Sequence, residues 1–368
     1  MKIPIAKPHI DEKDKAGVME TLNSGYLSMG KKYIQFEQAM NAYTHSKYAM
    51  AVSNGTCGLH LAVKALGLKK GDEVITSPFS FISSSNCLLF EGVKPVFVDV
   101  EETTFNLDPN LIERAITSKT KAILVVHIFG QSAEMKPILK LAKKYNLKII
   151  EDACESLGSN YYNKATGTMG DIGVYAFYPN KQMTTGEGGM MVTNSKKLAD
   201  LCKSLRNQGR GKQGDWLIHE RLGYNYRMDE MSASLGVTQL KKLDWMIKEK
   251  AKVVNWYQQM LADLEQQKKV QLPKTGPNRT HSWFVYAIRI KKNKRNKLMN
   301  HLADKGIQTK PYLPVIHLQP FMKERFNYKK GDYPVAEKIA AQSLALPLYI
   351  GLKKSEVKYI IDQITNFL

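Results

Sequence analysis

Between about residues 50 and 195, short apolar runs alternate with stretches of helical period. This alternation limits the possible folds more than any other feature of the chain. EVITSP (73–78), PVFVDV (95–100), AILVVH (122–127) and KIIEDA (148–153) are compact and rich in β-branched residues. They recur at a spacing of roughly 25 residues. Between them, PNLIERAITS (109–118) and AEMKPILKLAKKYN (133–146) place apolar residues at i, i+3 and i+4. That spacing leaves room for a crossover helix after each strand, which builds βαβ units and a mostly parallel sheet flanked by helices. VYAFY (174–178) and GMMVT (189–193) read as two more strands, antiparallel neighbours because their connection is short.

Past residue 228 the texture changes to a long helical pattern, MDEMSASLGVTQLKKLDWMIKEKAKVVNWYQQMLADLEQ, with one interior glycine, Gly236. A polar bend (PKTGPNRT, 273–280), a strand (WFVYAIRI), a helix (292–304) and two C-terminal helical stretches follow. The expected architecture is α/β: a large domain over 1–245 and a smaller C-terminal α+β domain over 246–368. A chain of 368 residues, 43% hydrophobic, has the material for both cores.

No run approaches the ~20 apolar residues of a membrane span, and the N-terminus lacks the apolar region of a secretory signal. The four cysteines, Cys57, Cys87, Cys154 and Cys202, are far apart with no CxxC pair, which suggests neither a metal site nor a disulfide framework. The expectation is a cytoplasmic protein without membrane contact. A net charge of +20 invites a nucleic-acid reading. The basic residues are scattered, however, the densest cluster being KKNKRNK (291–297), and no RNP or zinc-finger spacing appears. A solvated basic surface that attracts small anionic substrates is expected, with no nucleic-acid partner.

Ligands of open α/β sheets gather at the carboxyl ends of the strands. After AVSN comes GTCGLHLAVKAL (55–66), so Asn54-Gly55-Thr56 reads as a turn opening a helix. Its N–H groups and the Thr56 hydroxyl suit an anion; a plain N-cap accounts for the same residues. After KII come Glu151 and Asp152, two carboxylates that burial makes costly without a partner. Either a salt bridge or a cationic ligand satisfies them. After VYAFYP comes Lys181, a nucleophilic amine if desolvated or a snorkelling side chain if not. Taken together, an anion turn, a buried carboxylate and an activatable amine are what pyridoxal phosphate requires. GRGKQG (209–214) matches GxGxxG but follows a helical pattern rather than a strand, and is set aside as a dinucleotide fingerprint.

NGTCGLHLA, SPFSFISSSN, GVKPVFVDVE, VHIFGQ, IIEDACESLGSNY, FYPNKQMTTGEGGMMVTN, LRNQGR and LGYNYRMDEMSASLG resemble, in order and spacing, the DegT/DnrJ/StrS-type sugar aminotransferases, fold type I pyridoxal phosphate enzymes. The resemblance runs from about residue 3 to the C-terminus. It implies Lys181 as the Schiff-base lysine and proton shuttle, Asp152 as partner of the pyridine nitrogen, and Phe81 stacked on the ring. Thr56 and the Cys57 backbone take the phosphate, and Asn225 reaches it from a neighbouring subunit in a homodimer with shared sites. Arg227 and His317 become candidates for substrate binding, against the alternatives of an exposed arginine and a surface histidine at a helix start.

Two positions depart from the family pattern. Glu155 stands where glutamine is common near the ring hydroxyl, and Ala176 stands where a serine commonly adds to the phosphate cup. The presence of Lys181 rather than histidine argues for amino transfer over dehydration. By resemblance the donor is L-glutamate and the acceptor a nucleotide-linked keto sugar. TTGEGG favours a 4-keto-6-deoxyhexose, with a 3-keto sugar enzyme or a cofactor-binding regulator on the same fold as alternatives.

Overall fold

Seven of the apolar runs pair into one sheet in the computed structural model, which describes residues 2–211 and 218–368. The strands of the chain are β1 (Tyr48–Val52), β2 (Glu73–Thr76), β3 (Lys94–Phe97), β4 (Thr120–Val126), β5 (Lys148–Asp152), β6 (Asn160–Tyr161), β7 (Lys164–Ala165), β8 (Ile172–Ala176), β9 (Gly189–Thr193), β10 (Val270–Gln271), β11 (Tyr286–Ile290) and β12 (Ser343–Leu346). The large sheet has the order β1-β9-β8-β5-β4-β2-β3. β3, β2, β4, β5 and β8 are parallel, and β9 lies antiparallel between β8 and β1. The expected α/β architecture and the antiparallel β8–β9 pair are both present. β6 and β7 form a separate small hairpin.

Strands buried on both faces explain the near-continuous apolar runs. One face packs on the helices Gly55–Ala65 and Lys196–Arg206, through Leu59, Val63, Cys202 and Leu205. On the other side, Ile138 and Ala142 of the helix Met135–Lys144 pack with Ile75, Ile123 and Ile149. PNLIERAITS forms only a short helix, Pro109–Ile112, and a 3₁₀ turn, Glu113–Ala115.

The long pattern after 228 is two helices, Glu230–Lys241 and Leu243–Gln266, broken at Lys242 rather than at Gly236. Lys242 is drawn toward Asp11 and Asp14, whereas Gly236 lies flat against the Phe36 ring, where a Cβ would approach to 2.7 Å. Leu243 and Met246 join the core of Tyr33, Phe36 and Met40. Further along the same helix, Val253, Tyr257 and Leu261 join a second core with Tyr286, Ile288 and Ile360. That second core belongs to a smaller α+β domain built on the sheet β10-β11-β12, and Ile3 of the N-terminal segment packs into it. Among the described residues no helix is long and apolar enough to cross a membrane.

Period-2 geometry sends Glu151 and Asp152 to opposite faces of β5. Glu151 is fully buried and accepts the N–H of Gly167 at 2.8 Å, of Met169 at 2.6 Å and of Gly170. His127 Nδ1 accepts the Ala133 N–H at 3.1 Å, so its Nε2 carries the proton donated to Glu151 at 2.8 Å. The structural account of a buried carboxylate thus holds for Glu151. Replacing it with alanine strands four donors, two of them buried and two half-buried, so Glu151→Ala is expected to cost about 3–5 kcal/mol of stability in urea denaturation. A loss under ~1 kcal/mol would contradict this role.

Candidate active site

The carboxyl ends of β1, β2, β5 and β8 open on one edge of the sheet, and each hands the chain to a turn that carries chemistry. At the end of β5, Asp152 is only 6% exposed. Its Oδ2 accepts the Ser84 hydroxyl at 2.7 Å and its Oδ1 the Cys154 N–H at 3.2 Å. Both donors are neutral, and among the described residues no cation pairs with this carboxylate. A buried carboxylate so served is under-compensated.

Beyond β8, the Lys181 N–H donates to the Tyr178 carbonyl at 2.9 Å, closing the turn after Pro179. The side chain points inward and is 13% exposed. Its Nζ lies 3.5 Å from Glu155 Oε1 and 4.1 Å from the centre of the Phe284 ring. Glu155 Oε2 accepts the Phe129 N–H at 3.0 Å. Burial pushes the Glu155 carboxyl above its ordinary value, and the nearby Lys181 charge only partly opposes this.

The turn after β1 starts the helix Gly55–Ala65. Asn54 Oδ1 accepts the Cys57 N–H at 2.9 Å, so the N-cap is real. The Cys57 amide expected to hold an anion is therefore already engaged. The N–H groups of Gly55 and Thr56 take no acceptor among the described residues and face the positive end of the helix. Thr56 Oγ1 lies 2.8 Å from Ser83 Oγ. Ser83 and Ser84 thus link the anion turn to Asp152.

A Cβ on Gly55 would lie 2.7 Å from Ala176 Cβ and 3.0 Å from Cys154 Sγ. This contact sets the helix start against the end of β8, and Ala176 fills that space as a small apolar neighbour. Gly189 serves the same turn: a Cβ there would approach the Asn54 carbonyl to 2.7 Å. Gly189 therefore lets β9 pass close beside the Asn54–Gly55 turn. Gly186 has a φ of 81° and meets nothing within 4 Å, so its role is the turn itself.

Ordered strand-end chemistry of this kind accords with the profile of the DegT/DnrJ/EryC1/StrS aminotransferase family, which matches residues 8–365. The chain belongs to that family. It is 39% identical over 367 residues to a protein named GDP-perosamine synthase from Escherichia coli O157:H7, covering 99% of this chain and 98% of the relative. The crystal structure of S. venezuelae DesV in complex with a ketimine intermediate superposes with a TM-score of 0.92 at 31% identity, covering 100% of this chain and 98% of that one. NtdA from Bacillus subtilis, with bound cofactor PMP, superposes with a TM-score of 0.89 at 30% identity, covering 97% of this chain and 82% of that one.

The remaining candidates are distributed unevenly. Phe81, 59% exposed, presents its ring before the helix Ser83–Leu89. Asn225 is exposed on a segment tied to the anion turn through Ser53 N–H and the Tyr226 carbonyl, 2.9 Å apart. Arg227 Nη1 donates to Asn207 Oδ1 and Gln208 Oε1, both at 2.8 Å. His317 is completely buried in the 3₁₀ turn Ile316–Leu318, with Nε2 3.1 Å from Glu337 Oε1 and its ring 4.7 Å from that of Tyr333. It is not a surface histidine. GRGKQG begins beyond the helix Lys196–Arg206, and its last three residues lie outside the described residues. No local sequence pattern marks Ser84 or Phe284 as site residues. Ser84 is one of three consecutive serines, and Phe284 lies about a hundred residues from Lys181.

Ionised Glu155 is held against desolvation, and its folded pKa is raised. The native state therefore binds more protons than the unfolded chain between the ordinary value of 4.5 and the raised one, and stability falls as pH climbs through that window. Glu155→Gln is expected to raise the thermal midpoint at pH 7, with the gain vanishing as pH drops toward 4.5. A variant less stable than wild type at neutral pH, measured by calorimetry, would show that the Lys181 pairing outweighs desolvation.

Proposed function

We propose that this aminotransferase moves an amino group from L-glutamate to the keto carbon of a nucleotide-linked 4-keto-6-deoxyhexose, with pyridoxal 5'-phosphate as cofactor. The observation that carries the reading is Asp152, a buried carboxylate with two neutral donors and, among the described residues, no cation, on the same sheet edge as a largely buried lysine. A protonated pyridine nitrogen is the cation such a carboxylate lacks. The open N–H groups of Gly55 and Thr56 at a helix start suit the phosphate, and the exposed Phe81 ring suits an aromatic face. The residues present therefore fit the cofactor. When bound, it supplies an electron sink conjugated to the nitrogen being transferred.

The chain's own groups carry the rest. Asp152 holds the proton on the ring nitrogen, and Ser84 orients Asp152. Gly55 and Thr56 bind phosphate oxygens through backbone and hydroxyl, with the Cys57 amide spent on the N-cap. Lys181 Nζ removes the proton from the carbon bearing the amine and returns it on the other side of the transfer. Glu155 lies near enough to Lys181 to steady its amine between these steps. Arg227, paired among the described residues through amide oxygens, keeps an uncompensated charge suited to a diphosphate.

We assign Asn225 to the site of a second copy. Exposed Tyr26, Leu27, Met29 and Leu222 support a dimer that covers this region. The acceptor assignment is supported by TTGEGG at 184–189 and by the relative named GDP-perosamine synthase, which makes a GDP-linked keto sugar the first to offer.

Mass spectrometry of products, after offering glutamate and a panel of nucleotide-linked 4-keto and 3-keto sugars, tests the reading. An amine gained by a 4-keto sugar is expected. A gain by 3-keto sugars alone would move the regiochemistry, and amination of free ketoacids only would end the sugar assignment. Lys181→Ala is expected to abolish transfer with circular dichroism unchanged. Asp152→Asn is expected to lower turnover about a hundredfold or more. Full activity in either variant would remove the proposed chemistry.

A further inference from the structure

Within the helix Gly55–Ala65 the run Leu59–Val63 is buried throughout, and its one polar member is His60. A leucine would fill that place without the cost of burying two ring nitrogens. Both nitrogens find partners. Nε2 lies 2.9 Å from Glu91 Oε1, and Nδ1 lies 3.2 Å from the Tyr226 hydroxyl. Glu91 stands just past the helix Ser83–Leu89, with its side chain 13% exposed. Its Oε1 also accepts the Tyr224 hydroxyl at 3.1 Å, and its Oε2 accepts the Lys64 ammonium at 2.7 Å. The Tyr224 and Tyr226 rings stack at 5.0 Å, and the His60 ring meets Tyr224 edge-on at 4.8 Å.

This cluster ties together three elements that carry groups of the candidate site. The helix Gly55–Ala65 opens with the N–H groups of Gly55 and Thr56, which have no acceptor among the described residues. The helix Ser83–Leu89 opens with Ser83, 2.8 Å from Thr56 Oγ1, and with Ser84, which donates to Asp152. The segment 224–227 carries Asn225 and Arg227, and its Tyr226 carbonyl accepts the Ser53 N–H at 2.9 Å, just before the Asn54–Gly55 turn. His60 follows Thr56 by about one helical turn, and Glu91 follows Ser84 by about two. Glu91 is engaged on both oxygens, so it acts on an anion at the turn through the elements it joins rather than by contact. Apolar packing has no preferred direction and lets such elements slide, whereas hydrogen bonds to a carboxylate fix distance and angle.

We propose that Glu91 is a positioning residue for the anion turn. Through His60, Tyr224 and Tyr226 it holds the N–H groups of Gly55 and Thr56 at the spacing that a phosphate group requires. The inference rests on the reading that the cofactor's phosphate binds at this turn and its aldehyde at Lys181. Loss of the tie leaves the apolar packing of both helices in place but frees the helix start to shift against the Tyr226 segment. A phosphate, which needs several donors at once, is sensitive to such a shift; an aldehyde that reacts with Lys181 on another strand end is not.

The test compares two aldehydes that differ only in the phosphate. Full-length protein freed of bound cofactor is titrated with pyridoxal 5'-phosphate and, separately, with pyridoxal. The product is trapped with borohydride, and the labelled Lys181 peptide is quantified by mass. In Glu91→Ala the half-saturating concentration of pyridoxal 5'-phosphate is expected to rise about tenfold while that of pyridoxal is unchanged. Glu91→Gln keeps a side-chain oxygen for His60 and Tyr224, and is expected to restore the wild-type value; failure to restore it overturns the hydrogen-bonded route. A folded Glu91→Ala protein that matches wild type for both compounds overturns the proposal, and so does an equal loss for both, which would mark a general loosening of the fold. If Glu91→Ala does not fold, His60→Leu, which fills the buried place and cuts both bonds, is judged by the same two titrations. Wild-type protein unlabelled at Lys181 by either compound, or labelled no better by the phosphorylated one, overturns instead the cofactor reading beneath the proposal.

Discussion

A carboxylate out of water with only neutral hydrogen-bond donors is the constraint on which the site depends. Asp152 is in this position at the end of a central strand, where the sheet cannot shift to expose it. Two donors hold its geometry but leave most of its charge uncompensated. In the proposed function, the protonated ring nitrogen of the cofactor would supply the missing charge. An arginine at that point would have been better for stability and would have filled the site.

Three carboxylates within five residues meet three different fates, which shows how environment rather than residue type assigns roles. Glu151 turns to the far face of the sheet and is satisfied by three backbone N–H groups and a histidine. Asp152 turns to the near face and is left incomplete. Glu155, one turn further on, is raised by burial and lies opposite Lys181 at a distance too long for a strong hydrogen bond. A looser pair of this kind restrains the amine without locking it in an ion pair.

The glycines of the site act on the protein's own backbone. Gly55 and Gly189 have no room for a methyl group because the start of one helix and the edge of β9 press against each other and against Ala176. This close packing sets the helix N-terminus against the sheet edge. The departure at Ala176 belongs to the same contact. Its Cβ lies where the helix start comes nearest, so the position is set by packing as well as by ligand chemistry.

Local pattern was enough to read the sheet and which residues stand at its strand ends. β2 to β5 each appear as a β-branched run, and the strand-helix spacing dictates parallel pairing, because both signals are written in neighbouring residues. The placement of Asp152 and Lys181 at strand ends was legible for the same reason: a charge next to a buried run is visible in the sequence itself. The short helix after Pro109 and the break at Lys242 were not legible, since the first is cut off by its surroundings and the second is set by Asp11 and Asp14 more than two hundred residues away. The tie from Glu91 through His60 to Tyr226, the hold of Ser84 on Asp152, the Phe284 ring beside Lys181 and the burial of His317 came only with the tertiary structure. Each depends on which faces of distant segments meet, and no periodicity within a segment records that.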